Sequence, residues 1–381
     1  LWSRGLGDVY KRQGSDSAES DNTKMLAEHG ISVFIGHDGA NIDGADLIVY
    51  TAAIKDSNPE LVRAKETGVP SIERAVLLGM LMSLYPHSAA VAGTHGKSTT
   101  TSMLSSVMLD SKLDPTILIG AHFDRINANY RVGLSEYAVY EACEYVNSFH
   151  HFYPDTAIIL NIDADHLDFF KDIDDIKKSF KKFIGNVNEN GTIIINGDDP
   201  NCKGLTDGCR QKVITFGFDS SNDCFAQNVR QENGFPVFDA VLYDERIQNI
   251  KLSVLGTHNI LNALASICCA KNYGIENDAV ISGLQKFKGA DRRFQIVKTV
   301  NGAQIADDYA HHPTEIEATI SAAKAAGYKK ICVIFQPHTY TRTKLLSDRF
   351  ISSLSKADEV ILTDIFSARE INTIGASVMD I

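Results

Sequence analysis

Apolar residues along this chain come in short runs, and their spacing switches repeatedly between helical and extended periods. From Gly14 the switching is regular. Residues 21–29 read as a short helix, 31–35 and 46–51 as strands, and 58–66 as a second helix. A strand at 69–72 follows, then a helix at 73–85 carrying Leu77, Leu78, Leu81 and Leu84. Strands alternating with helices predict a parallel sheet of Rossmann-like type. Residues 1–13 (LWSRGLGDVYKRQ) show neither period and are read as a leader foreign to the fold. The strand and glycine-rich loop that open such a sheet are expected at that place and are missing from it.

A linker at 86–88 leads into a second α/β unit. An apolar run at 89–92 predicts a buried strand, and 99–109 has helical spacing through Met103, Leu104, Val107 and Met108. Strands follow at 137–141 and 157–161, then a lysine-rich amphipathic helix at 173–184 and a strand at 191–196. Residues 212–254 alternate apolar with polar, with turns at 218–222 and 232–234, and predict a β-rich insertion. A strong helix at 260–272 is preceded by Thr257 and Asn259, both good cap residues, so its start is open by two positions. A third unit begins near Arg292, with strands at 304–307, 330–335 and 359–364 and helices at 313–326 and 344–355. Three strands make a short parallel domain, so truncation is expected at the C-terminal end as well.

Composition narrows the class without naming it. The 381 residues suit two or three domains, and 44% hydrophobic with 22% charged residues is ordinary for a globular protein. A net charge of -11 argues against a nucleic-acid partner, which calls for a basic face. No apolar stretch reaches membrane-spanning length, and no secretory signal is visible. Seven scattered cysteines without a Cys-x-x-Cys pair suit reduced thiols better than disulfides or zinc. The expectation is a cytoplasmic α/β enzyme that inserts in no membrane.

Chemistry concentrates at Gly93-Thr94-His95-Gly96-Lys97-Ser98, between the buried run and the helix that opens with Thr99. A strand, a glycine-containing turn and a helix N-terminus direct free N–H groups and a positive dipole end at an anion. Lys97 then reaches terminal phosphate oxygens and the Ser98 hydroxyl suits Mg²⁺. The strict pattern wants glycine at position 91, where Val91 stands, so this is a variant phosphate loop. Mg²⁺ requires hard ligands at neighbouring strand ends, where Glu141, Glu144, Asp163, Asp165 and His166 lie. Glu144 and Asp163 read equally well as solvated loop carboxylates. Arg292-Arg293-Phe294 sits at the next domain boundary, where guanidinium groups suit a phosphate or carboxylate. Two further loops, 307–313 and 335–343, each follow a strand and are rich in His, Tyr and Arg, as an acceptor pocket needs.

Six ordered motifs resemble the Mur ligase family, and within it the alanine-adding branch. They are Gly93–Thr101 (GTHGKSTTT), Asn161-Ile-x-x-Asp165-His166, Gly256-x-His258-Asn259-x-x-Asn262-Ala263, Arg292-Arg293-Phe294, Asp307-Asp308-Tyr309-Ala310-His311-His312-Pro313 and Phe335-Gln336-Pro337-His338. The resemblance implies three domains. These are a Rossmann-like UDP-sugar domain at 14–86, a central P-loop ATP domain at 87–290 and a Rossmann-like amino-acid domain at 291–381. It implies ATP-dependent ligation of L-alanine to the UDP-N-acetylmuramate carboxylate through an acyl phosphate, in peptidoglycan precursor synthesis, by a monomer or homodimer. ATP would engage Gly93, Thr94, His95, Gly96, Lys97, Ser98 and Thr99, with His258, Asn259 and Asn262 at the adenine. Arg293 would face ATP, and Asp308 the ribose side. Ser98, Glu141 and His166 would hold Mg²⁺. Ser15 and Asp16 continue the first loop toward the UDP-sugar, while Tyr309, His311, His338 and Arg342 would line the amino-acid side. Lys97, His166, Arg293, His311 and Arg342 are the implied catalytic set. Two departures stand out: Cys143 replaces the family's usual aspartate, and Thr339 stands where many relatives carry arginine, leaving Arg342 to anchor the carboxylate. The alternatives are a ligase that recycles a tripeptide onto the same sugar nucleotide, and a non-catalytic ATP-binding relative.

Overall fold

The computed structural model describes residues 11–368 and 370–381. Most of the leader set aside above lies outside them. Gln13, counted with that leader, opens the first strand instead. The chain divides into two compact units, one ending at Gly79 and one running from Met80 to Ile381.

The first unit contains β1 (Gln13–Asp16), α1 (Asp21–Glu28), β2 (Ser32–Ile35), β3 (Ile48–Tyr50), α2 (Pro59–Thr67) and β4 (Ser71–Glu73). Its strands form two separate parallel pairs, β1 with β2 and β3 with β4, where alternation predicts one continuous sheet. Each helix starts as its sequence dictates. Ser20 and Thr23 cap α1 reciprocally, and Asn58 with Pro59 at the first position starts α2. Helix α3 (Arg74–Met82) spans the division in the chain.

A ten-stranded sheet forms the body of the second unit. In chain order its strands are β5 (His87–Ala92), β6 (Thr116–Phe123), β7 (Ala128–Arg131), β8 (Tyr137–Glu141), β9 (Thr156–Ile159) and β10 (Thr192–Asn196). Then come β11 (Lys212–Gly217), β12 (Cys224–Glu232), β13 (Phe235–Leu242) and β14 (Glu245–Lys251). The spatial order is β14-β13-β12-β11-β10-β9-β5-β8-β6-β7. From β6 to β12, bar the β6–β7 hairpin, the pairing is parallel. β12 to β14 turn back antiparallel and form the insertion that the alternation at 212–254 predicts. Helices α4 (Lys97–Asp110) and α5 (Ile173–Ile184) connect strands of this sheet, and α6 (His258–Asn272) and α7 (Asn277–Lys286) follow its last strand. α4 and α6 are buried almost all round, which explains their weak amphipathic signal, and Met103, Leu104, Val107, Ile260, Leu264 and Ile267 share one core with β5 and β9.

Beyond residue 291 the fold departs from the expected parallel trio. Strand β16 (Ala303–Asp307) pairs antiparallel with β15 (Gln295–Val300), not with its parallel successors. The reason is legible afterwards: Asn301 and Gly302 both adopt positive φ, 50° and 83°, in an Asn-Gly hairpin turn. β17 (Cys332–Phe335) and β18 (Glu359–Leu362) form a separate parallel pair. Helix α8 (Pro313–Ala325) matches expectation to one residue. The single helix expected at 344–355 is two, α9 (Tyr340–Leu345) and α10 (Ser347–Leu354), broken at Leu346, which is buried in a core with Ile316, Ile320, Phe335 and Phe350.

Candidate active site

Val91 and Ala92 end β5 in full burial, and the chain then turns through Gly93 to Gly96 into the first turn of α4. Gly93 has φ +147° and its missing Cβ would lie 2.9 Å from the Leu160 Cβ; Gly96 has φ +85° with the Asn262 Oδ1 2.7 Å from the same position. Side chains are excluded at both places, and the backbone passes close to the residues just after β9 and to α6. The loop is tied at its middle by Asn161. His95 N–H donates to the Asn161 Oδ1 (2.8 Å), and the Asn161 amide donates back to the His95 carbonyl (3.0 Å). Thr94 N–H donates to the Asn161 carbonyl, and its hydroxyl accepts from Asp163 N–H at 2.9 Å. Thr99 is part-buried in the first turn of α4.

Lys97 lies along its own loop. Its Nζ donates to the Gly93 carbonyl (2.6 Å), the Thr94 carbonyl (3.2 Å) and both oxygens of Glu144 (3.1 and 2.9 Å). Burial alone lowers the lysine's pKa, but the carboxylates of Glu144 and Glu141 more than reverse that, so the ammonium is firmly charged. Glu144 is therefore no solvated loop carboxylate: it is 2% exposed and neutralises the loop's lysine. Its other neighbour is His166, whose Nε2 lies 3.9 Å from the Glu144 Oε1. The Cys143 thiol, pushed up to about 11 by burial and by Glu144, stays protonated and adds no charge where the family pattern has a carboxylate.

Ser98 and Glu141 are brought together as the sequence anticipates. The Ser98 hydroxyl donates to the Glu141 Oε2 at 2.8 Å, and Gly120 N–H donates to the same oxygen. A hydroxyl and a carboxylate at the mouth of a phosphate loop fit a hard cation. His166 stands apart from that pair. It adopts φ +53°, its N–H donates to the Asp165 Oδ1 (2.7 Å), and its ring packs 4.7 Å from Tyr145.

Asn259 and Asn262 are buried in α6 and committed to the fold. The Asn262 amide donates to the Asn259 Oδ1, and the Asn259 amide to the Leu255 carbonyl. His258, at the helix start, is exposed. Ser15 and Asp16 lie in the first unit, where the Ser15 hydroxyl donates to the Glu60 Oε2 at 2.8 Å and the Asp16 side chain accepts from Ala18 N–H.

Loops from beyond residue 291 complete the other wall. The Arg292 and Arg293 guanidinium carbons lie 4.9 and 5.9 Å from the centroid of the Tyr309 ring. Asp308 accepts from Phe294 N–H, Ala310 N–H and the Thr319 hydroxyl, yet burial raises its pKa. The His311 Nδ1 donates to the Tyr309 carbonyl (2.8 Å), since a carbonyl only accepts, which leaves Nε2 with a free lone pair. Burial lowers its pKa, so the ring is neutral. The Arg342 Nε donates to the Asp165 Oδ1 at 2.9 Å, and Nη1 lies 3.0 Å from the His338 Nδ1. Arg342 is thus paired with a buried carboxylate, a partner the sequence did not disclose. Tyr145, Asp165, His166, His338, Arg342 and Glu370 line a cavity of about 280 Å³.

Two carboxylates that sequence reasoning undervalued or missed hold these walls together. The Asp163 oxygens accept from both Arg349 guanidinium nitrogens (3.1 Å each) and from the Thr314 hydroxyl (2.6 Å), and Oδ2 lies 3.3 Å from the His95 Nε2. The Glu315 Oε1 lies 3.3 Å from the His95 Nδ1 and 3.6 Å from the Arg293 Nη1. Glu315 looks in sequence like any acidic residue in a helix's first turn, so nothing marked it.

Comparison with known proteins bears on this constellation. Residues 9–86 match the family model described as Mur ligase family, catalytic domain; 91–270 match the Mur ligase middle domain; and 292–377 match the Mur ligase, glutamate ligase domain. The chain is 50% identical to a UDP-N-acetylmuramate--L-alanine ligase of Agathobacter rectalis, over 99% of this chain and 84% of that protein. It is 49% identical to the enzyme of the same name from Clostridium novyi, over 97% and 80%. Among solved structures, the UDP-N-acetylmuramate-alanine ligase of Thermotoga maritima superposes with a TM-score of 0.79 at 31% identity, covering 93% of this chain and 79% of that one. A murein peptide ligase of Psychrobacter arcticus gives 0.73 at 25% identity, covering 92% and 78%.

Proposed function

Because the chain belongs to the Mur ligase family, we propose that it uses ATP to join L-alanine to the carboxylate of UDP-N-acetylmuramate. The observation that carries this reading is 50% identity, across 99% of the chain, to a ligase of that name. The geometry supplies matching chemistry. The sugar carboxylate must attack the γ-phosphorus of ATP, expelling ADP and forming an acyl phosphate. The alanine amine then attacks the acyl carbon, and phosphate leaves as the amide forms.

Each step needs charge placed in advance. Lys97 is charged and held at the loop by Glu144, ready to exchange that carboxylate for β- and γ-phosphate oxygens. Ser98 and Glu141 would hold one Mg²⁺, and His166 a second beside Glu144. When bound, Mg²⁺ would neutralise phosphate charge so that one anion is able to approach another. Gly93 to Thr99 supply N–H groups to the phosphates, with His258 at the nucleoside end. Asn259 and Asn262, expected at the adenine, stand in α6 beside Gly96, with the Asn262 amide donating to the Asn259 Oδ1. Ser15 and Asp16 are assigned to the UDP-sugar.

The acceptor side needs a cation for the alanine carboxylate and a base for its ammonium. Arg342 is oriented by Asp165, and its Nη1 faces His338 on the small cavity. The neutral His311 presents Nε2 as a proton acceptor. Arg293, Tyr309 and Asp308 form the remaining wall. Among the described residues no helix is long and apolar enough to cross a membrane, and all seven cysteines are free thiols, in keeping with cytoplasmic chemistry.

The test is phosphate release by the purified chain with ATP, Mg²⁺ and UDP-N-acetylmuramate. L-alanine should stimulate it strongly and a tripeptide acceptor weakly. Stimulation by the tripeptide alone would make the chain a recycling ligase, and none by either would make it a nucleotide-binding relative.

A further inference from the structure

One carboxylate touches both halves of the proposed reaction. Glu315 lies in the first turn of α8, behind the cap residue His312 and the N1 residue Pro313. Its Oε1 faces the phosphate-loop residue His95 at 3.3 Å and Arg293 at 3.6 Å. Its Oε2 accepts from His311 N–H at 3.1 Å. His95 is equally constrained from the other side. Its backbone is clamped at both polar atoms by Asn161, and its Nε2 faces Asp163, which α8 and α10 hold through Thr314 and Arg349. The imidazole therefore bridges a carboxylate of the central sheet's loop and one of α8. Neither ring nitrogen is left to reach a phosphate.

We propose that Glu315 is the positioning residue through which nucleotide at the phosphate loop sets the place of His311 on the acceptor side. The inference rests on the ligase reading above for the identity of the two substrates. Its physical content is simple. Two carboxylates about one imidazole repel each other unless the ring stays between them, so a shift of the loop moves Glu315 with His95. Glu315 in turn carries the backbone N–H of His311 and the guanidinium of Arg293. Lys97 is bonded to the carbonyls of Gly93 and Thr94, the residues just before His95. Its departure toward phosphate releases them, which gives the loop reason to move.

A metal site is the other reading of His95, Asp163 and His312, whose donor atoms lie close together. The bonding speaks against it. The His312 Nδ1 lone pair accepts from Thr314 N–H at 3.3 Å, and its Nε2 lies 3.2 Å from the Ala164 carbonyl. Both Asp163 oxygens accept from Arg349. The cluster is complete as a hydrogen-bonded clasp.

The experiment uses the full chain and two variants, Glu315→Gln and His95→Asn, with amide hydrogen exchange and steady-state kinetics. In the wild type a non-hydrolysable ATP analogue should slow exchange at 93–98 and also at 309–316. In Glu315→Gln the first effect should persist and the second vanish. ATP affinity should stay within about twofold, while kcat falls and the KM for L-alanine rises, each by about tenfold. His95→Asn should reproduce the acceptor-side loss, and the double variant should be no worse than either single one, as for two members of one link. A response at 309–316 that survives Glu315→Gln, or additive losses in the double variant, overturns the proposal. The exchange readout needs only nucleotide. If the wild type failed to use L-alanine, the ligase reading would fall while the coupling result stood or fell by itself.

Discussion

The phosphate loop has two flanks, and they are held together in opposite ways. On one, Lys97 and Ser98 find Glu144 and Glu141, all within the central sheet and its loops. On the other, His95 and Asp163 find Glu315, Thr314 and Arg349, all contributed by helices beyond residue 291. The first flank is finished before any other domain arrives. The second exists only when the C-terminal segment is docked. A ligase that must make a reactive acyl phosphate and keep it from water gains from that division. On the proposed reading, nucleotide binding falls to the locally built flank and acceptor chemistry to the flank that the C-terminal segment completes.

Changes on the first flank should strike hardest and stay local. Lys97→Met should lower L-alanine-dependent phosphate release by about a thousandfold or more, since the cation on the transferring phosphoryl group is lost. Nucleotide binding measured by calorimetry should fall with it. Tight ATP binding in that variant would show that the loop amides suffice and that Lys97 serves mainly Glu144. Glu144→Gln comes next. It leaves the lysine charged and poorly matched in a buried place, so about 2–3 kcal/mol of stability should go. Activity should drop by about ten- to a hundredfold, with KM for ATP affected more than KM for L-alanine. If the acceptor KM moved more, the two flanks would not be separable.

The sequence made the first flank readable because its logic is local. A strand, a glycine turn and a helix start lie within ten residues, and Glu141 ends the adjacent parallel strand. Glu144 was harder, because only packing shows that Lys97 needs a partner when no phosphate is there. The second flank was illegible for a different reason. Asp163, Glu315 and Arg349 are separated by about 150 and 30 residues, and each is the ordinary residue for its local setting: a strand-end acid, a first-turn acid, an exposed helical base. Only docking makes them a set. The same limit explains the fold errors. In the central sheet β5, β8, β9 and β10 followed periodicity while β6, β7 and helix α7 went unread, and β15 and the break at Leu346 depended on an Asn-Gly turn and on a core contact.

Asp163→Asn probes the second flank at moderate strength. It keeps the shape but removes the charge that faces Arg349 and His95, at a cost of about 1–3 kcal/mol to docking. Protease cleavage near residues 288–292 should quicken, while ATP affinity should remain unchanged. A fall in ATP affinity equal to that of Glu144→Gln would erase the distinction between the flanks.

The smallest expected effect is a pH dependence confined to the second flank. Burial lowers the His95 pKa, but bonds to Asp163 and Glu315 more than compensate and raise it from 6.5 to about 9. The folded clasp therefore binds a proton that the unfolded chain releases near pH 6.5. Its contribution is fully present below about pH 6.5 and is lost as pH rises through 9. His312 beside it acts in the opposite range: burial lowers its pKa to about 4, so acid, not base, disturbs it. The measurement is the difference in melting temperature between the wild type and His95→Gln at several pH values. The gap should be widest near pH 6.5 and close by about pH 9.5. Glu144→Gln should show no such closing, because Lys97 stays charged throughout. A gap for His95→Gln that held constant from pH 6 to 9.5 would mean the imidazole bridges its two carboxylates without the proton, and the clasp would then owe its strength to shape instead of charge.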